Sequence, residues 1–597
     1  MGITERLSAF RGQMKKDGID VVMVPTADSH ASEYIADHFK TRQWLCGFTG
    51  SAGTLVVALG EAALFTDGRY FIQAERQLEG SGVTLMRMGT PGTPTLEEYL
   101  LSLAKAGQTV GMDFSLVSGT QADEFGKKLS AQGAQLVDTG DWFDALWEDR
   151  PAMPDAKAFA LEERYAGRSV SDKLEAIREV MREQNAAAHV CNVLDDIAWT
   201  LNVRGGDVLN TPVVMSYLIV TLEDAAWFVD EDKVDAELHA ALEAAGVAVR
   251  PYGAIEAALS ALPVGSRVLG DRSKLTARLC AAMGQAEVVQ HENPAFRMKA
   301  VKNEAELENL RRAHIKDGLA VTRLMYWLKT NIGKLPMTEI SVSDKLLALR
   351  KEQEGYISLS FNTICAYRAN AAMMHYSATP ETDAVLEPRD LLLIDSGGQY
   401  LEGTTDVTRT FALGEVQQEQ KKHFTAVLCS MLNLANAKFL HGCTGIALDI
   451  LARGPIWDMG IDYRCGTGHG VGYLLSVHEG PNSFRWYKSA TRSEDTVMEA
   501  GMVTTDEPGV YIEGSHGIRT ENELVCRELE RNEYGQFMGF ETITCVPIDL
   551  DAVLPEEMTV RQRGWLNDYH TFVRETLLPL MADDAEREWL RQATRAI

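Results

Sequence analysis

What this sequence lacks narrows its function before any motif is read. It has no run of about 18 uncharged apolar residues, so no membrane-spanning helix is expected. Its opening stretch, MGITERLSAFRGQMKKDG, spreads charges over an amphipathic helical pattern and has no apolar centre of the kind a signal peptide needs. Arg6 stands where a myristoylation signal wants Ser or Thr. There is no C-x-x-C pair: nine cysteines are scattered singly from Cys46 to Cys545, which argues against a zinc knuckle and for reduced thiols in a cytoplasm. Basic residues are outnumbered, 58 Lys and Arg against 85 Asp and Glu, for a net charge of −27 with no Lys/Arg tract. Phosphate repels such a surface, so nucleic acid is not expected as a partner. Low-complexity segments are missing as well. What remains is an ordinary globular composition, 45% hydrophobic and 24% charged, in 597 residues. That length is too great for one hydrophobic core and predicts about three or four domains.

A pattern seen near the start recurs further on. The first copy runs from the helical RLSAFRGQMKKDGIDVVMV through QWLCGFTGSAGTLVVAL to EAALFTDGRYF. The second runs from KLEAIREVMREQNAAAHVCNV through IAWTLNVRGGDV to PVVMSYLIVTLEDAAWFVDEDKV. Both read as helix, short strand, Trp-bearing segment, apolar strand and acidic-tipped hairpin, which predicts two related α/β domains. Trp147 to Pro151, with Pro154, reads as the linker closing the first. After Asn293-Pro294 the chain turns into a long helix whose Leu307, Leu310, Ala313 and His314 fall at helical spacing. The expected boundaries are therefore 1–152, 153–296 and 297–597, with a largely helical extension from about 540.

The third segment carries the chemistry. In LLLIDSGGQYLEGTTDVTRTF an apolar run ends at Asp395, and a second strand carries Asp406. Two antiparallel strands bring both carboxylates to one point, and an acid closing an apolar strand is costly unless a cation neutralises it. The segment MVTTDEPGVYIEGSHGIRTENELVC repeats the device, with Glu507 ahead of Pro508-Gly509 and Glu521 on the return. Between the two hairpins, RCGTGHGVGYLLSVHEGP sets His469 among glycines that permit close backbone approach. Each residue alone has a bland reading as a solvated turn acid or an ordinary histidine; the ordered set of five does not. Four hard oxygen donors and one imidazole favour Mn²⁺, with Zn²⁺ or Co²⁺ also possible, and balance two divalent ions.

These motifs, IDSG and TTDVTRT, GTGHGVG and HEGP, then DEPGVYIEGSHGIRTEN, resemble the pita-bread metallopeptidases, and within them the three-domain Xaa-Pro aminopeptidases. SEYIA, GFTGSAGTLVV, TDGRYF and MKAVKNEAELENLRRAH extend the resemblance over essentially the whole chain. It implies an α/β (α+β) protein: two related N-terminal mixed-sheet domains followed by a pita-bread catalytic domain. It implies metal ligation by Asp395, Asp406, His469, Glu507 and Glu521, with Glu507 also acting as general base. His375 in MMHYS and His478 in VHEGP match substrate-contacting histidines, and Arg519 is expected to brace the site through a carboxylate. The implied activity is release of the first residue from proline-containing peptides by a cytoplasmic homodimer. Prolidase action on Xaa-Pro dipeptides is the near alternative. A creatinase-type amidinohydrolase lacks this metal set, and a non-catalytic binding protein of the same fold would be expected to have lost ligands. Cys465 stands where some relatives carry histidine, and reads as a packed thiol. Arg69 in TDGRY reads either as reaching a neighbouring subunit's site or as a structural hairpin residue.

Overall fold

The computed structural model describes residues 1–488 and 496–597. They form two compact units: residues 1–160 with 168–295, and residues 161–167 with 296–597.

The first unit is built twice from one plan. Helix α1 (Ile3–Asp17) buries Leu7, Phe10 and Met14 on one face and ends at Gly18, whose φ of 69° closes the last turn. It leads into a sheet of β1 (Val21–Pro25), β2 (Thr54–Ala58), β3 (Ala62–Thr66), β4 (Thr84–Arg87), β5 (Thr109–Met112) and β6 (Gln135–Asp138). Helix α2 (Val170–Glu183), capped by the Ser169 side chain, buries Leu174, Ile177 and Met181 at the same spacing as its counterpart. It feeds β7 (Ala188–Cys191), β8 (Ser216–Thr221), β9 (Ala225–Val229), β10 (Val247–Pro251), β11 (Arg267–Gly270) and β12 (Glu287–Gln290). The strand orders, β4-β3-β2-β1-β5-β6 and β10-β9-β8-β7-β11-β12, correspond position by position. So do the senses: each first strand is antiparallel to the second and parallel to the fifth. The predicted repeat and mixed sheets are both present.

The chain enters the main part of the second unit within α3 (Pro294–Ala300) and continues into α4 (Glu304–Asn331), which Asn303 and Glu306 start with a capping box. Leu307, Leu310, Ala313 and His314 are all buried along α4. Two antiparallel systems follow. Strands β13 (Ile364–Tyr367), β14 (Leu391–Ser396) and β15 (Val407–Ala412) form one. The other contains β16 (Gly468–Gly470), β17 (Glu479–Phe484), β18 (Val503–Asp506), β21 (Asn522–Asn532) and β22 (Gly535–Thr542). A separate hairpin, β19 (Gly509–Ile512) with β20 (His516–Arg519), lies between β18 and β21 in the chain. Helices α5 (Gln418–Ala435) and α6 (Gly445–Trp457) bury Phe424, Leu428, Leu448 and Ile456 in one core with Leu391, Val510 and Leu524 of the strands. The second unit is thus antiparallel sheets with helices packed on them, and α7 (Val560–Leu577) and α8 (Asp584–Ala593) supply the helical extension expected from about 540.

Candidate metal centre

Each acid is delivered by the end of a strand. Asp395 sits in β14 opposite Thr408 of β15. Asp406 is the residue just before β15, and its backbone N–H donates to Glu523 Oε1 at 2.7 Å. Glu507 directly follows β18, held by its N–H to the Thr467 carbonyl at 2.8 Å. Glu521 lies between β20 and β21, one residue ahead of the strand on which it was expected, with its N–H on the Thr408 carbonyl at 3.1 Å. The Thr408 hydroxyl also donates to Glu521 Oε2 at 2.7 Å.

His469 completes the set from β16. Its backbone N–H donates to Thr505 Oγ1 at 3.0 Å and its Nδ1 lies 2.9 Å from the Gly470 carbonyl. A carbonyl only accepts, so Nδ1 carries a proton, which leaves Nε2 as the nitrogen that could ligate a cation. Nε2 faces Asp406 Oδ2 at 3.5 Å and Glu507 Oε1 at 3.6 Å. Ligand atoms of Asp406, His469 and Glu521 all lie within 4.8 Å of one another. The structure thus brings Asp406, His469, Glu507 and Glu521 together, and Asp395 is tied to the same group through Arg519.

The electrostatics ask for positive charge. Burial raises Asp406 well above the usual carboxylate range, and repulsion from Glu521, Asp395 and Glu507 adds to it. Glu521 is raised well above its ordinary value for the same reasons. Glu507 is pushed up to about 7 by burial, with Arg519 and His478 favouring its charged form and Asp395 opposing it. Asp395 Oδ1 is buried with no hydrogen-bond partner among the described residues. Like charges crowded in a buried place, an unpartnered carboxylate oxygen and an imidazole nitrogen facing them fit divalent cations.

Arg519 is buried and donates to Asp395 Oδ2 at 2.5 Å, to Tyr511 OH at 2.5 Å and to Thr408 Oγ1 at 3.2 Å. The His478 ring stands edge-on to His469, centroids 4.3 Å apart and planes at 83°. His375 is half-buried in the turn after the 3₁₀ segment Arg368–Ala372. That segment packs on β20: a Cβ on Gly517 would fall 1.8 Å from the Ala371 carbonyl oxygen. Cys465 is half-buried, its thiol pushed up to about 12 by burial and by Glu507, which suits a packed thiol. Arg69, in the first unit, makes a two-pronged ion pair with its neighbour Asp67 at 2.8 Å per contact. Glu523 and Thr408 were not picked out from the sequence. A signal for Glu523 existed: it is a second acid two residues beyond Glu521, in a segment the sequence reads as a strand.

Gly468 explains the GHG pattern. A Cβ there would lie 1.8 Å from the Thr505 carbonyl oxygen. Gly468→Ala therefore pushes β16 away from the segment leading to Glu507 and takes His469 with it. Metal affinity is expected to fall about 10- to 100-fold, as when a ligand's supporting contacts are removed; titration calorimetry with Mn²⁺ checks it, and unchanged affinity counts against this reading of the glycine.

Comparison with known proteins agrees along the chain. Residues 308–528 match metallopeptidase family M24, and residues 536–597 match the C-terminal region of that family. Residues 6–146 and 149–306 each match the creatinase/prolidase N-terminal domain. The sequence is 37% identical to aminopeptidase P2 of Arabidopsis thaliana, over 100% of this chain and 89% of that one. The fold superposes with a TM-score of 0.94 and 32% identity on an X-prolyl aminopeptidase from Caenorhabditis elegans, described as a cytosolic enzyme with a di-nuclear active site, covering all of both chains. A prolidase from Pyrococcus horikoshii matches 64% of this chain and 99% of its own, with a TM-score of 0.50 and 25% identity.

Proposed function

This chain belongs to the aminopeptidase P group of the M24 metallopeptidases, and from that premise we propose that it hydrolyses the first peptide bond of substrates with proline second. The observation that carries the reading is the convergence of Asp406, His469 and Glu521 ligand atoms within 4.8 Å, with Glu507 at 3.6 Å from the same imidazole. Asp395, Asp406, His469, Glu507 and Glu521 would hold the two divalent ions, Mn²⁺ being favoured by the oxygen-rich set over Zn²⁺ or Co²⁺. When bound, such a pair makes water acidic near neutral pH and polarises the scissile carbonyl.

The chain's own groups do the rest. Glu507 takes the proton of the attacking water and returns it to the leaving proline nitrogen. His478, beside His469, and His375 donate hydrogen bonds to the carbonyl oxygen as it gains charge, or to the proline-side amide. Arg519 holds the Asp395 carboxylate by a charge-assisted hydrogen bond to Oδ2, leaving Oδ1 as the oxygen that would meet a metal. Proline has no N–H and a fixed φ, so the substrate is seated by shape and carbonyl contacts rather than by a backbone donor.

The whole-length likeness to an aminopeptidase, against a prolidase match over 64% of the chain, favours longer peptides over Xaa-Pro dipeptides. The expected result is release of free N-terminal amino acid from an Xaa-Pro-Xaa tripeptide, abolished by chelator and restored by Mn²⁺, with the dipeptide turned over far more slowly. An intact tripeptide in the presence of metal-loaded protein would overturn the activity, and preferential dipeptide cleavage would reassign it to the prolidases. A homodimer and a cytoplasmic setting complete the proposal. The latter is supported by the description of the Caenorhabditis elegans relative and by the lack of any helix, among the described residues, long and apolar enough to cross a membrane.

A further inference from the structure

Next to His478 stands a group for which the mechanism has so far had no use. Glu479 opens β17, and its side chain is 3% exposed. Lys299 Nζ lies 2.8 Å from Glu479 Oε2, and Lys302 Nζ lies 2.5 Å from Oε1; these lysine side chains are 4% and 1% exposed. Both come from the entry to the second unit, Lys299 near the end of α3 and Lys302 just after it. That entry is itself pinned, since the Lys302 N–H donates to the Gly501 carbonyl at 3.0 Å and Val301 bridges to Met502 ahead of β18. On its other side Glu479 pairs with Gly470, next to His469, so closely that a Cβ on Gly470 would fall 2.2 Å from the Glu479 carbonyl oxygen.

Three charges buried together are an expensive way to hold a strand. Apolar residues of similar volume usually hold it as well or better, whereas an ion pair with hydrogen-bond geometry fixes direction. The immediate neighbour of the clamped residue is His478, whose ring stands edge-on to His469. We propose that Glu479, clamped by Lys299 and Lys302, is a positioning residue that holds the His478 imidazole over the scissile carbonyl. The proposal rests on the aminopeptidase reading for the role of His478, but the geometry it asserts is independent of that reading.

Glu479→Gln keeps the shape and removes the charge that both lysines grip. The expected result is a fall in kcat on an Xaa-Pro-Xaa tripeptide of about 10- to 100-fold, the size of a displacement near 1 Å, with bound Mn²⁺ per chain as in the wild type. In the His478→Ala background the same substitution is expected to cost less than about two-fold, because the ring it orients is already gone. Equal factors in both backgrounds, or loss of Mn²⁺, would overturn the proposal. A crystal structure of Glu479→Gln gives the readout that needs no activity: the 4.3 Å centroid separation of His478 and His469 should be lost, and a ring still in place would overturn the proposal whatever the kinetics. If Glu479→Gln does not fold, Lys302→Met, which leaves Glu479 one ammonium partner, enters the same cycle under the same criteria. Wild-type protein inactive on the tripeptide would sink the aminopeptidase reading and leave the crystallographic test standing.

Discussion

Glu507→Gln is expected to lower kcat/KM for an Xaa-Pro-Xaa tripeptide by at least about 1,000-fold, or roughly 4 kcal/mol of transition-state stabilisation. Two losses combine in that figure. An amide has no basic oxygen to take the water's proton at pH 7, and it is a weaker ligand opposite His469 Nε2, now 3.6 Å from Glu507 Oε1. The fold is expected to survive, because the carboxylate being removed is a buried group that resists ionisation up to about 7. A neutral amide of the same shape lifts that penalty, so in metal-free protein at alkaline pH the variant should melt at or above the wild-type temperature. Steady-state kinetics, elemental analysis and a thermal melt on one preparation separate these effects. Activity within about ten-fold of wild type would remove Glu507 from the chemistry. A lower melting temperature for the metal-free variant would instead contradict the electrostatic account of the site.

Much of this site could be read from the chain because buried acids are rare without a reason. Asp395 closes LLLID, and Glu507 follows a strand whose four residues are all buried; both positions demand a cation. The glycines around His469 point to a close backbone approach, and the structure has it: a Cβ would fall 1.8 Å from a carbonyl oxygen at Gly468 and 2.2 Å at Gly470. The duplicated N-terminal plan was legible because one order of helix, strand and hairpin recurs along the chain, and α1 and α2 bury residues at the same spacing. Other features hid because they depend on partners far away in the chain. Nothing near Arg519 says that it will meet Asp395, far away in sequence; its bonds to Thr408 and Thr410 of β15 set it beside Asp395, which lies opposite Thr408. Lys299 and Lys302 read as part of a conspicuous motif with no role until folding set Glu479 between them. The break between α3 and α4 was signalled by Asn303 and Glu306, an N-cap and its N3 acid, but the longer helical period masked it.

Stability of the metal-free chain is expected to fall as pH rises, the reverse of the usual behaviour of ion-paired carboxylates. Burial and mutual repulsion raise Asp406 and Glu521 well above the ordinary range, and Glu507 from 4.5 to about 7. Between the ordinary and the raised values the folded chain keeps protons that the unfolded chain has already released. Folding is then favoured by acid, and stability drains away as pH climbs through that window, for Glu507 from 4.5 to about 7. Glu507 alone corresponds to something on the order of 3 kcal/mol when its shift is fully expressed. Divalent ions reverse the sign, because they bind the ionised ligands, release the protons and act only on the folded state. Metal-free protein should therefore melt several degrees lower at about pH 8 than at about pH 5.5, and saturating Mn²⁺ should raise the melting temperature more at the higher pH. Asp406→Asn, which removes one member of the repelling group, should flatten the metal-free pH dependence and forfeit most of the Mn²⁺ response. A metal-free melting temperature that holds level or rises with pH would mean that the four carboxylates do not repel one another in the fold. A Mn²⁺ response equal at both pH values would mean that the ions are not held by titrating acids.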